Sequence, residues 1–174
     1  MIHQNQAPDI DLRRLGRADT QGYRTVRLEA SLDPAFAMAT ASLENMSASS
    51  IYRAFLMSPQ GWVMGAFDDE RLLGIVHIDP SVTPNEFVLW GLYVLLTDRR
   101  KGVGEALVAS AIDISRSLSG AKLSLQVSST NQPARRLYQR LGFMGQGQAG
   151  SMSAVEPRVS DGLNQPELMV YFFV

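Results

Sequence analysis

Between positions 92 and 107 the chain reads Leu92-Tyr93-Val94-Leu95-Leu96-Thr97-Asp98-Arg99-Arg100-Lys101-Gly102-Val103-Gly104-Glu105-Ala106-Leu107. An apolar stretch gives way to a polar, basic run, and two glycines open a segment with helical spacing. The first N–H groups of a helix have no partner within it, and the helix dipole adds partial positive charge there. Glycines let a ligand approach the backbone closely. With Arg99, Arg100 and Lys101 beside them, these residues would make a site for phosphate or pyrophosphate. A Gly-x-Gly alone is also what a tight turn with a solvated basic surface would show. Two nucleotide patterns fail. The Walker loop needs Gly-x-x-x-x-Gly-Lys followed by Ser or Thr, and the dinucleotide fingerprint needs a third glycine where this chain has Leu107.

The elements that must position this stretch can be read on either side of it. Asp11 to Leu15 suits a first strand, and Asp19-Thr20 can cap a helix carrying Tyr23, Val26, Leu28, Ala30 and Leu32, ended by Asp33-Pro34. Residues 35–58, rich in Ala, Ser and Met, read as one or two short helices. Trp62 to Phe67 and Leu72 to Ile78, joined by the polar turn 68–71, read as a hairpin. Phe87 to Val94 is almost continuously apolar, as in a strand buried on both faces. Val103, Leu107, Ala111, Ile114 and Leu118 form one stripe of a helix, stopped at Ser119-Gly120. Lys122 to Val127 alternates as a strand, with Leu123, Leu125 and Val127 on one face. Pro133 fits a first helical turn, and Gly142 a stop after Leu137 and Leu141. Residues 145–166 lack clear periodicity and read as a loop. Leu168 to Val174 reads as a closing strand that could extend a sheet across a homodimer or complete its own core. Residues 1–174 are expected to form one α+β domain, a mixed central β-sheet flanked by helices.

Composition narrows the chemistry. Of 174 residues 45% are hydrophobic and 19% charged, with net charge -1, so a basic nucleic-acid surface is not expected. Without cysteine there can be no thiolate ligand or nucleophile, and His3 and His77 are too few for a clustered metal site, so no metal is expected. The start lacks the pattern of a signal peptide, and no apolar run approaches the ~18 residues of a membrane span. A cytoplasmic protein without membrane contact is the expectation.

Arg99-x-x-Gly102-x-Gly104 after Leu-Tyr-Val resembles the coenzyme-binding motif of the GNAT N-acetyltransferase superfamily. A second segment, Asn131-x-x-Ala134-x-x-Leu137-Tyr138-x-x-Leu141-Gly142-Phe143, resembles that superfamily's later helix. The two motifs span about residues 87–145. Where the family often has proline this chain has Leu96, a position that shapes the loop. The resemblance implies a GNAT fold, acetyl-CoA as cosubstrate and an amine as acceptor. It implies that the amides from Arg100 to Glu105, including those of Lys101, Gly102, Val103 and Gly104, hold the pyrophosphate, with Arg99 in the same motif. Leu92, Tyr93 and Val94 would pair with the pantetheine arm, Asn131 would bond the same arm beside Ala134, and Tyr138 would lie near the sulfur.

Acetyl transfer needs an uncharged amine. For a lysine-like amine, deprotonation at pH 7 costs roughly 4–5 kcal/mol. Tyr138 is expected to protonate the leaving thiolate, and the Val94 amide to serve the developing oxyanion. Candidate bases are Glu29 in the first helix, Glu86 at the start of the central strand, and His77 at the end of the strand before it. His77 has the most suitable intrinsic pKa. Arg135, Arg136 and Arg140 form a basic helix face, either solvated or near the coenzyme's adenosine phosphate. Trp90 and Tyr93 suit core or pocket wall. Near-neutral charge and the segment Tyr23 to Ala30 lean towards a small-molecule amine as acceptor. A protein N-terminus or lysine, and a non-catalytic coenzyme A-binding or sensor domain, are the alternatives.

Overall fold

The computed structural model describes residues 10–33, 53, 56–59, 61–148 and 166–173. Strand β1 (Asp11–Arg14) leads through a short 3-10 turn into helix α1 (Thr20–Leu32). Asp19 fixes that entry: its carboxylate accepts the Gly16 N–H at 2.8 Å and two bonds from Arg13 at 2.9 and 2.7 Å. The helix stops at Asp33, because a residue before proline disfavours helical geometry. Strands β2 (Trp62–Asp68) and β3 (Arg71–Pro80) make the expected hairpin, and β4 (Glu86–Val94) pairs antiparallel with β3. Helix α2 (Val103–Ser117) crosses to β5 (Lys122–Ser128), which runs parallel to β4. Helix α3 (Gln132–Arg140), β6 (Met144–Gln148) and β7 (Pro166–Phe172) follow. The expected helices at 35–58 fall almost wholly outside the described residues.

The seven strands form one mixed sheet in the order β1-β2-β3-β4-β5-β7-β6. One face is covered by α2 and α3, over a core that includes Leu73, Leu107, Leu123, Leu125 and Met169. The other packs against α1 through Tyr23, Val26, Ala30, Ile75 and Tyr93. Leu107 and Leu123 are wholly buried, and burial of such a side chain is worth about 1.5–3 kcal/mol.

The structure decides one open reading, corrects two others and bears out a fourth. Strand β7 lies between β5 and β6, so it completes the protein's own sheet and offers no edge to a second copy. Met144–Gln148 forms an outer strand, so residues 145–148 leave the expected loop; two glycines and two glutamines hide it because no apolar alternation marks it. On α2, Val108, Ile112 and Ser115 join the buried arc, whereas Leu118 is the C-cap residue and is largely exposed. Strand β4 is covered on both faces, as its apolar run implied: Phe87, Leu89, Gly91 and Tyr93 are buried and the residues between them half-buried.

Two irregularities of β4 shape the middle of the sheet. Ile75 pairs with Tyr93, but His77 pairs with Trp90, so β4 carries one extra residue opposite β3. That bulge inverts the alternation: Phe87 and Leu89 face the α2 side, whereas Tyr93 faces α1. Gly91 stands at the bulge with φ +60, and a Cβ there would come 2.5 Å from His77 Nδ1. Glycine is needed on both counts. Second, β4 and β5 pair only where Glu86, Phe87 and Val88 meet Lys122, Leu123 and Ser124. Beyond Val88 the two strands separate and leave a cleft.

Candidate active site

The cleft opens at the C-terminal end of β4, where a parallel strand, a loop and the start of a helix meet. Gly74 pairs with Val94, while Leu95 N–H bonds Leu73 C=O at 2.9 Å. In an antiparallel ladder this pattern turns the N–H and C=O of Val94 away from β3, towards the side where β5 has departed. Val94 Cγ2 and Leu137 Cδ2 both lie within contact distance of a Cβ built at Gly104, at 3.7 and 3.5 Å. Strand end, helix start and α3 therefore converge on one point. The side chains of Leu92 and Val94 pack half-buried on the α2 face, and that of Tyr93 is buried on the α1 face.

The loop after β4 is held from below by Asp98, which is 1% exposed. Its carboxylate receives Arg71 through two nitrogens at 2.7 and 3.0 Å, Lys101 at 3.1 Å and the Thr97 hydroxyl at 3.0 Å. The Arg71 bonds, with Lys101 and Thr97, hold its pKa far below the usual carboxylate range against the opposing effect of burial. The backbone then passes through left-handed geometry at Arg100 (φ 66) and at Gly102 (φ 85), the N-cap of α2. The first helical bond runs from Ala106 N–H to Gly102 C=O at 3.0 Å. The N–H groups of Val103, Gly104 and Glu105 thus lack acceptors within the helix. Val103 sends its side chain into the core, and the Glu105 carboxylate meets Arg140 at 3.4 Å on the surface.

The basic run is less uniform than its sequence suggests. Lys101 is committed to Asp98, and Arg99 binds Asp33 at 2.5 Å and the Val94 carbonyl at 3.0 Å. Arg100 makes no ion pair among the described residues. On α3, Arg135 pairs with Glu167 at 2.7 Å and Arg140 with Glu105, leaving Arg136 exposed without an ion pair among the described residues.

Asn131 caps α3: its side-chain oxygen accepts the Ala134 N–H at 3.2 Å, which leaves its amide nitrogen to donate elsewhere. Ala134 is half-buried against the core. Tyr138 is buried and sits edge-on to Phe143, with ring centroids 5.7 Å apart. Burial pushes its phenol pKa upward, so it carries its proton at neutral pH and has an O–H to donate. Its hydroxyl makes no hydrogen bond to another described residue.

The three candidate bases separate sharply. Glu29 reaches the end of β4: its carboxylate accepts Leu96 N–H at 2.9 Å and Tyr93 O–H at 3.3 Å. The Tyr93 phenol is pushed up to about 12, first by burial and then by the Glu29 charge. Glu86 lies at the opposite end of β4, roughly 26 Å from Val94 along the strand, and pairs with Lys122 at 2.6 Å. It is therefore no part of this site. His77 does not end its strand, as the sequence reading had it. It stands within β3, wholly buried, stacked on Trp90 at 4.1 Å and hydrogen-bonded to Tyr23 O–H at 2.8 Å. Burial, then the nearby Arg27 charge, depress its pKa well below the ordinary value. The ring supports the bulge rather than facing solvent. Trp90 donates to Asp79 at 2.7 Å on the same face.

Sequence reading passed over Asp98, Asp33 and Gly91. Asp98 directly precedes the basic run, at the i,i+3 spacing that pairs it with Lys101. No local pattern marks Asp33 or Gly91, whose partners lie 66 and 14 positions away in the chain.

The model of the acetyltransferase (GNAT) family matches residues 26–143. This chain belongs to the GNAT acetyltransferase family. A GNAT-family acetyltransferase from Streptococcus pneumoniae superposes with a TM-score of 0.72 at 21% identity, covering 95% of this chain and 100% of that one. The yncA acetyltransferase of Salmonella typhimurium, solved with acetyl-CoA, gives 0.72 at 17% identity over 94% of both chains. The PaiA N-acetyltransferase of Thermoplasma acidophilum, solved with coenzyme A, gives 0.64 at 18% identity over 95% and 99%. In sequence, human N-acetyltransferase 8 is 27% identical over 105 residues, 58% of this chain. The chain spans about half the length of that curated relative, 46% of it. Among the described residues no helix is long and apolar enough to cross a membrane, and no three potential ligands are grouped to hold a metal.

Proposed function

We propose that the protein transfers an acetyl group from acetyl-CoA directly to a primary amine of a small molecule, both bound at once. The observation that carries this is the cleft itself: Val94 turns its polar backbone groups into it, and the bare N-terminus of α2 stands at its mouth. An added Cβ at Gly104 would make only ordinary contacts, so the fold does not require glycine there; close approach of a ligand does. Amides 100–105 would hold the pyrophosphate, and the Leu92–Val94 edge and the Asn131 amide would hold the pantetheine arm as an added strand would.

In the transfer the amine nitrogen bonds the acetyl carbon, the carbon–sulfur bond breaks, and the amine loses a proton while the thiolate gains one. Tyr138, a phenol that carries its proton at neutral pH, is the candidate to supply the second proton. The Val94 N–H can stabilise the negative charge developing on the acetyl oxygen. Glu29, bound to the end of β4, is the best placed of the three candidate bases. A small acceptor is favoured by the near-neutral charge of the chain, which gives no field for a charged macromolecule.

The test is thermal unfolding with and without acetyl-CoA, for the wild type and Gly104→Glu, followed by thioester cleavage with a panel of small amines and amine-bearing peptides. Ligand at a hundred times its Kd adds about 2.7 kcal/mol, or about 5–10 °C for a domain of this size. No shift in the folded wild type removes the proposal. A shift without cleavage for any amine points to a coenzyme-binding domain, and cleavage with peptides alone to a protein acceptor.

A further inference from the structure

We infer that Arg99 is a positioning residue that locks the end of β4 to the end of α1, and not a ligand of the coenzyme phosphates. The inference rests on the acetyl-transfer reading above. Among the described residues the guanidinium meets three groups. Its Nε donates to the Val94 carbonyl at 3.0 Å, a terminal nitrogen meets the Asp33 carboxylate at 2.5 Å, and its central carbon lies 5.2 Å from the Tyr93 ring centroid. Asp33 is the C-cap residue of α1, and Val94 the last residue of β4. One rigid fork therefore joins the helix bearing Glu29 to the strand bearing the Val94 amide. Glu29 makes a second tie alongside, through Tyr93 O–H and Leu96 N–H.

The Nε–H and one terminal N–H are committed, the latter in a charge-assisted pair with a carboxylate 10% exposed, so a phosphate would have to share a guanidinium already anchored away from it. Arg100 differs: it is exposed, in left-handed geometry, and without an ion pair among the described residues. If a cation of this run meets phosphate, Arg100 is the one already released. The Arg99 bond to Val94 C=O also fixes the peptide that follows the Val94 N–H, the proposed oxyanion donor. A small displacement there reaches the reacting atoms, and misplacement of about 1 Å can cost on the order of a hundredfold in rate.

The experiment compares wild type, Arg99→Gln, Arg99→Lys and Asp33→Asn by two readouts: Kd for coenzyme A by calorimetry, and kcat at saturating acetyl-CoA with the best amine of the panel. For Arg99→Gln the expectation is a Kd within about threefold of wild type and a kcat lowered about ten- to a hundredfold. Arg99→Lys should not restore kcat, because an ammonium cannot reproduce the fork. Asp33→Asn should lower kcat in the same direction. A Kd raised tenfold or more with kcat intact overturns the inference, as does a variant unchanged in both. If both change, Asp33→Asn decides: lowered kcat upholds the inference, whereas tighter coenzyme binding with normal kcat refutes it. A wild type that binds no coenzyme A, or turns over no amine, sinks the functional reading instead and is seen before any variant is compared.

Discussion

His77 should make this protein sensitive to mild acid. Its folded pKa lies below its unfolded value, owing to burial and then to Arg27. The unfolded chain therefore binds more protons below pH 6.5. The stabilising excess is complete above about pH 6.5 and is lost as pH falls from there towards the folded pKa. The slope approaches about 1.4 kcal/mol per pH unit. Integrated from pH 8 to 5.5 the loss is about 1.4 kcal/mol, or about 3–6 °C in Tm for a domain of this size. The control is His77→Gln, whose amide can still reach Tyr23 O–H. It should begin less stable, since it gives up the stack on Trp90, but lack this acid-sensitive component. Asp79, whose pKa burial raises, acts in the opposite sense: it adds stability at low pH that fades as pH rises past its unfolded value. His3 and Asp79 are common to both proteins, so the difference between the two curves reports His77. Melting curves at half-unit pH steps would measure it. Parallel losses in the two proteins would show that His77 is not held neutral in the folded state, and the account of the bulge would fall with it.

Three other outcomes follow from the site. Tyr138→Phe should leave Tm and the Kd for coenzyme A close to wild type, because the hydroxyl has no partner among the described residues, while kcat falls about 10²-fold or more if it protonates the thiolate; unchanged turnover removes that role. Gly104→Ala should fold with unchanged or slightly higher Tm, gaining up to about 1 kcal/mol from helix propensity, yet bind coenzyme A more weakly. Gly102→Ala should instead lose about 1–2 kcal/mol to its left-handed φ, and equal melting of the two alanine variants would contradict the described backbone. Asp98→Asn should cost about 1–3 kcal/mol through the weakened contacts of Arg71 and Lys101. It should also flatten stability below about pH 4, where protonation of Asp98 removes stability from the wild type; acid titration of both proteins checks this.

What the sequence carried, and what it hid, divides by range. Strand β5, the crossing helix and the start of α3 were legible because each rests on local signals: alternation at 122–127, a stripe spaced by four residues at 103–111, Pro133 in a first helical turn. The cradle was legible for the same reason, since its glycines and helix start lie within a few residues. The insertion of β7 between β5 and β6 was not, because strand order is decided by pairing between distant segments. The same limit concealed His77. A histidine among Ile, Val and Ile looks like a strand end until Gly91, Trp90 and Tyr23 are seen to enclose it. Arg99 looks like a phosphate cation because Arg100 and Lys101 follow it in sequence, whereas its neighbours in space are a carboxylate and a carbonyl.

The short ladder between β4 and β5 has a thermodynamic side. Three residue pairs join a half-sheet of β1 to β4 to one of β5, β7 and β6. Among the described residues the core that crosses this seam lies on the α2 face alone, since the cluster under α1 draws on the first half-sheet only. The two halves are thus natural units of partial unfolding, able to exchange amide hydrogens at different free energies. A ligand lying along Val94 would contribute backbone bonds where the ladder stops. Its binding should raise protection in both halves and merge them into one cooperative unit, so that the ligand acts as a missing strand of the fold as well as a reactant.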